Sequence, residues 1–191
     1  MARPYRRVIA MRITDDRYHR ERLRMELALR FLRHEARTQT IRAWTGLSDD
    51  RIRKLYRSYM DDARTELPRH RGKSPHQVAY FTRSTRMQEE TLALAASLWL
   101  LGVLGDAGAA APGSLAALAR GAMLCEAFDS YRLARPGAQI SFEHAVFLVN
   151  ALSSGEQLRL GWCSGCGGLM VSEPFSLRLS RCQHCSGAAR C

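Results

Sequence analysis

The sequence predicts a mainly α-helical protein with a helix-turn-helix-like segment and a small C-terminal four-cysteine zinc module. Three observations carry that expectation. Apolar residues recur at helical spacing through most of the chain. Two Cys-x-x-Cys pairs, Cys163/Cys166 and Cys182/Cys185, stand fifteen residues apart near the C-terminal end. Positive charge is concentrated in the N-terminal part: residues 1–86 hold 22 Lys/Arg and 10 Asp/Glu, whereas residues 87–191 hold 7 and 8.

Residues 1–16 read as a basic arm, opening Met1-Ala-Arg-Pro-Tyr-Arg-Arg7. Residues 17–155 read as the helical domain. Its first helix is expected from Arg17 to about Arg37, where Leu23, Leu27 and Phe31 recur with Met25, Leu29 and Leu32 beside them. Arg20, Arg24 and Arg30 lie among them, with Glu21, Glu26 and Glu35 as local partners. The apolar face is broad. Core packing explains it most simply, and a partner protein is the alternative.

Residues 38–60 have the grammar of a helix-turn-helix. A short helix turns Ile41 and Trp44 inward, Gly46 ends it in the left-handed conformation, and Leu47 fills the turn. Ser48 is an N-cap, and Asp49 and Asp50 suit the positive end of the next helix. Ile52, Leu55, Tyr56 and Tyr59 form its apolar stripe. Arg51, Arg53, Lys54 and Arg57 are then candidates for DNA contact, because a second helix so placed can enter a major groove. The alternative is an ordinary structural hairpin, and Asp49 and Asp50 would face phosphates.

Residues 63–86 are polar, basic and rich in Pro and Gly, and read as a loop. Arg69, Arg71 and Lys73 are further phosphate-contact candidates there. His70 and His76 read as solvated. An apolar helix is expected from Met87 to about Leu104, with Leu92, Ala95, Ala96, Trp99 and Val103 inward. Ser114 caps a helix running to about Leu133 that buries Leu118, Ala122, Cys125 and Phe128. Another starts at Ser141 and stops near Gly155. These three helices are the expected core. Glu126, Asp129 and Glu143 read as exposed-face acids.

Residues 156–191 form the expected zinc module, with short strands at Leu158–Trp162 and Leu169–Val171. Four thiolates suit one tetrahedral Zn²⁺. With Cys163, Cys166, Cys182 and Cys185 all bound, no coordination position remains for a substrate, so the ion is structural. Two disulfides, four free thiols or an oxidation-sensitive switch are the alternatives. Cys125 reads as a core residue, Cys191 as a spectator and His184 as a solvated loop residue.

The formal charge of +11 suggests a polyanionic partner, and nearly all of the basic residues are Arg, whose planar fork suits phosphate or guanine. No apolar run approaches the ~20 residues needed to cross a bilayer, and no secretory signal is apparent, so a cytoplasmic protein without a membrane partner is expected. No phosphate-cradling glycine loop or Gly-x-Ser-x-Gly elbow appears, and an enzyme is not expected.

These parts together resemble the FlhC family, the zinc-containing subunit of the bacterial flagellar master transcriptional activator. The resemblance rests on Arg51-Ile-Arg-Lys-Leu-Tyr56, on the His76–Arg83 region with Tyr80-Phe81, and on the C-terminal block. There a helix from Phe142 to Leu152 runs through Ser154-Gly155 and Leu158-Arg-Leu160 into Cys163-x-x-Cys166-Gly-Gly168, then Cys182-x-x-Cys185. The resemblance implies a heterohexamer of four FlhD and two FlhC subunits that binds upstream of flagellar promoters and helps recruit RNA polymerase. It also implies zinc on Cys163, Cys166, Cys182 and Cys185. The basic arm is longer, and the segment after Cys185 shorter, than in that family. A zinc-stabilised adaptor that binds only protein is the alternative function.

Overall fold

The computed structural model describes residues 13–63, 73–104, 110–174, 181–182 and 184–185. Among them the chain forms helices α1 (Ile13–Arg33), α2 (Thr38–Thr45), α3 (Asp49–Ala63), α4 (Ala79–Thr82), α5 (Thr85–Leu100), α6 (Leu115–Ala134) and α7 (Phe142–Ser154). An antiparallel hairpin of β1 (Arg159–Trp162) and β2 (Leu169–Ser172) follows. The mainly helical class with a C-terminal cysteine cluster is therefore as expected. No helix among the described residues is long and apolar enough to cross a membrane.

Helix α1 begins at Ile13, inside the span expected to be arm, and stops at Arg33 rather than Arg37. The stop is made by the backbone. Glu35 takes φ 60°, and the Ala36 N–H returns to the Phe31 carbonyl at 2.9 Å. Leu27, Ala28, Phe31 and Leu32 are buried, mainly against α6 and α2. The core thus includes α1 and is not confined to the three later helices. At its centre Phe31 meets Phe142 edge-on at 5.0 Å, and Phe128 does the same at 5.3 Å.

Helix α2 and the turn behave as expected. Ile41 and Leu47 are buried, Trp44 packs on Phe31 at 5.9 Å, and Gly46 is left-handed with φ 67°. The start of α2 is unexpected. Arg37, its N-cap, supplies no side-chain acceptor. Instead Glu143 reaches over from α7, accepting the Arg37 backbone N–H at 2.8 Å and the Thr40 hydroxyl at 3.0 Å. Glu143 is therefore buried, at 7% exposure, and the expectation of an exposed-face acid is wrong. Its burial is compensated because both oxygens find donors.

The stretch expected to be loop contains α4, whose Phe81 is buried and stacks on Phe147 at 5.7 Å. Helix α5 starts at Thr85, capped by Ser84, whose hydroxyl accepts the Met87 N–H at 3.2 Å. Its buried face is Met87, Glu90, Thr91, Leu94, Ala95 and Leu98. Ala95 and Val103 are buried as expected, whereas Leu92, Ala96 and Trp99 give way to their preceding neighbours Thr91, Ala95 and Leu98. Trp99 is half exposed, at 50%. Glu90 draws that face inward. Its carboxylate accepts from the Gln139 N–H at 2.8 Å, the Tyr131 hydroxyl at 3.1 Å and Arg86 at 3.2 Å. Burial raises the Glu90 pKa, but these donors outweigh it and the net shift is downward.

Ser114 caps α6 as expected, and α7 begins where expected, with Ser141 as its cap. Leu118, Cys125 and Phe128 are buried. Burial pushes the Cys125 thiol up to about 12, which fits an inert core residue.

Candidate metal centre and basic surface

The first cysteine pair sits in the turn of the hairpin. Trp162 pairs with Leu169 across the strands, and residues 163–168 make the connection. The Gly167 N–H donates to the Cys163 carbonyl at 2.9 Å, and the Cys163 N–H donates to the Gly168 carbonyl at 2.8 Å. Gly167 has φ +68°, a conformation that side-chain-bearing residues rarely adopt. This tight loop points two sulfurs to one side. The second pair, Cys182 and Cys185, closes on them from the far end of the chain.

The four Sγ atoms all lie within 4.8 Å of one another. Cys166 Sγ and Cys182 Sγ are 3.7 Å apart. Four sulfurs placed tetrahedrally at about 2.3 Å from one ion lie roughly 3.8 Å from each other, so the spacing fits a metal ion. It is also far longer than a disulfide bond, which is about 2.05 Å. None of the described cysteines is in a disulfide. Cys163 is buried, at 3% exposure, and its sulfur accepts backbone N–H groups from Cys182 at 3.1 Å and Gly165 at 3.3 Å.

These sulfurs do not ionise alike. Backbone N–H groups, that of Cys182 first, bring the Cys163 thiol down to about 6. Cys185 is pushed up to about 12, chiefly by its sulfur–sulfur hydrogen bond to Cys166 and then by those to Cys182 and Cys163. Four thiolates this close repel one another, and a divalent cation at their centre removes that repulsion. The shell of four is closed. Such a centre holds chain segments together and leaves no position for a substrate. His184 is exposed and is not among the four clustered ligands.

The module is seated on the helical domain. Leu158 is fully buried, and Leu160 and Val171 pack against the same core. Strand β2 lies on α5. Trp162, 61% exposed, meets Trp99 of α5 edge-on at 6.4 Å. A cleft of about 220 Å³ opens between them, lined also by Leu104, Leu152, Leu160 and Leu169.

The DNA-contact candidates separate into groups. Arg51, Arg53, Lys54 and Arg57 all lie on α3 and are exposed. Arg53 bends back to Asp50 at 3.0 Å, and Arg42 approaches Asp49 at 3.6 Å. The two aspartates at the start of α3 are therefore each matched by an arginine. Arg51 pairs with Glu21 of α1. Lys73 is exposed outside any helix or strand, and Arg69 and Arg71 lie outside the described residues, as do His70, Cys191 and residues 1–12 of the expected arm. Sequence reasoning missed the α1 arginines as site residues. Arg17, Arg20 and Arg24 follow an i, i+3, i+7 spacing that places them on one helical face, a signal legible in the sequence. With Arg51, Asp16 and Glu21 they line a cleft of about 510 Å³.

Comparison with protein-family models gives no match, and comparison with curated proteins gives no significant relative.

Proposed function

We propose that the chain is a DNA-binding subunit of a transcriptional activator, held in shape by one structural Zn²⁺ on Cys163, Cys166, Cys182 and Cys185. The observation that carries this reading is the α2–turn–α3 unit, which presents Arg51, Arg53, Lys54 and Arg57 on the exposed side of its second helix. The matching of Asp49 and Asp50 by Arg42 and Arg53 supports it, because it lowers the repulsion a phosphate would meet there. Zinc is favoured over other ions by the soft, closed set of four sulfurs. The FlhC resemblance supplies the rest: an FlhD-type partner, flagellar promoter DNA, RNA polymerase and a cytoplasmic setting.

The test is binding to flagellar-promoter and unrelated DNA across a salt series, with zinc quantified, in the presence and absence of the FlhD-type partner. Zinc-dependent preference for the promoter that strengthens with the partner is expected. Equal, weak binding to both DNAs overturns promoter specificity and leaves only a polyanion-binding surface.

A zinc-stabilised protein adaptor is the second reading. It is favoured by the exposed apolar group of Trp99, Leu100 and Trp162, since exposed tryptophans are common anchors of protein interfaces. Absence of DNA binding under every condition, with zinc retained, selects it.

A further inference from the structure

A cleft between the first half of α1 and the start of α3 joins α1, which lies outside the helix-turn-helix-like segment, to the second helix of that segment. Four guanidinium groups line it, those of Arg17, Arg20, Arg24 and Arg51, against the carboxylates of Asp16 and Glu21. Two positive charges remain in excess. The donors are not equally committed. Arg24 directs Nε and one terminal nitrogen at the Gly113 carbonyl, at 3.3 and 3.2 Å, and its other terminal nitrogen at Glu21, 3.6 Å away. It is a structural tie between α1 and the segment before α6. Arg51 pairs with Glu21 through one terminal nitrogen. Arg20 offers one to Asp16 at 3.3 Å, with both side chains about half exposed. An exposed pair of this kind is weak and exchangeable. Arg17 is exposed.

We propose that this cleft holds the phosphate backbone of double-stranded DNA, with Arg17, Arg20 and Arg51 as the contacting residues. The inference rests on the DNA-binding reading and extends the interface from α3 to α1. Arg17, Arg20 and Arg51 line the cleft and are exposed, and a guanidinium can engage two phosphate oxygens at once. Arg17 and Arg20 are separated by three residues, about 4.5 Å along the axis. Arg51 and Lys54, also three residues apart, continue the positive track along α3. A row of cations on two adjoining helices suits a repeating polyanion. Backbone contact of this sort positions the protein without reading sequence.

The test uses the full chain, together with its partner if the wild type needs one to bind. Arg17→Ala/Arg20→Ala is compared with Arg132→Ala/Arg135→Ala, which removes two exposed arginines from the end of α6. Affinity for promoter duplex is measured against salt, and helicity and metal content are checked on each variant. The expected result is a slope of log affinity against log salt shallower by about 2 in the α1 variant, with affinity down about tenfold at moderate salt and no change in the control. The single variant Arg17→Gln, expected to shallow the slope by about 1, provides the same reading if the double variant loses helicity. A wild-type slope in folded α1 variants overturns the cleft while leaving the DNA-binding reading intact. Failure of the wild type itself to bind DNA overturns both.

Discussion

Glu143 closes the start of α2 from a distance of 106 residues in sequence, its carboxylate accepting the Arg37 backbone N–H at 2.8 Å. One acid thereby links α7, in the core, to the helix-turn-helix-like unit at the surface. Its second oxygen takes the Thr40 hydroxyl at 3.0 Å. The contact ties the start of α2 to α7.

Glu143→Ala should lower stability by about 2–3 kcal/mol, since it strips a buried N–H and a hydroxyl of their acceptor. Urea denaturation measures the loss. Hydrogen exchange should show it concentrated at residues 37–41. Uniform exchange across the protein would contradict the assignment of Glu143 to the α2 terminus.

Gly113 carries the second tie to the same unit. Its φ is +71°, and an added Cβ would lie 2.6 Å from the Thr45 carbonyl oxygen. The Gly113 N–H also donates to the Trp44 carbonyl at 3.1 Å. Gly113→Ala should cost about 2 kcal/mol through backbone strain and this clash. The Cβ would also lie 2.7 Å from Arg24 Nε and from one of its terminal nitrogens, but the Thr45 oxygen is backbone and φ is positive, so Arg24→Ala should relieve only part of the cost. Denaturation midpoints of Gly113→Ala with and without Arg24→Ala decide the point.

His34 gives the protein a sensitivity to mild acid. It stacks on Phe142 at 4.8 Å, with the Phe128 ring edge-on at 5.3 Å. Burial lowers its pKa below 6.5, opposed by Asp129 and reinforced by Arg30, Arg132 and Arg33. The unfolded chain therefore binds the proton more readily than the folded one. Stability is fully present above the ordinary histidine range and falls as pH drops through 6.5 toward the lowered value. Glu90, also shifted down, adds a loss at more acidic pH, below the ordinary carboxylate range. His34→Phe should flatten the stability profile as pH falls through and below the ordinary histidine range. Chemical denaturation at several pH values tests this, and an unchanged slope would contradict it.

Trp162 directly precedes Cys163 and touches Trp99 at 6.4 Å. Removal of the metal with a strong chelator should release the hairpin, separate the two indoles and red-shift tryptophan emission. Cys163→Ser should lose metal and unfold the β1–β2 hairpin. A tetrathiolate site can contribute on the order of ten kcal/mol to local folding. The helical domain should keep its far-UV signal, because its aromatic core around Phe31 and Phe142 contains no cysteine ligand. Unchanged metal content and melting in the variant would remove the structural role.

Local chemistry made much of the protein legible in its sequence. The helical class, the serine cap at Ser114, the helix start at Ser141, the Gly46 turn, the two short strands and the four clustered cysteines all follow from signals only a few residues long. Caps, turns and ligand spacings are properties of short segments, and periodicity reports which face of a helix is apolar. What only the tertiary structure decided is where polar groups find partners. Glu143 reads as a surface acid in sequence, yet it is buried because donors arrive from the distant Arg37 and Thr40, and Glu90 is buried in the same way by Gln139 and Tyr131. Part of the stripe on α5 shifted by one position for the same reason. Likewise Arg17, Arg20 and Arg51 form one cleft only because α3 lies against α1. A carboxylate is buried or exposed according to the donors that meet it, and those donors are set by the packing of elements far apart in the chain.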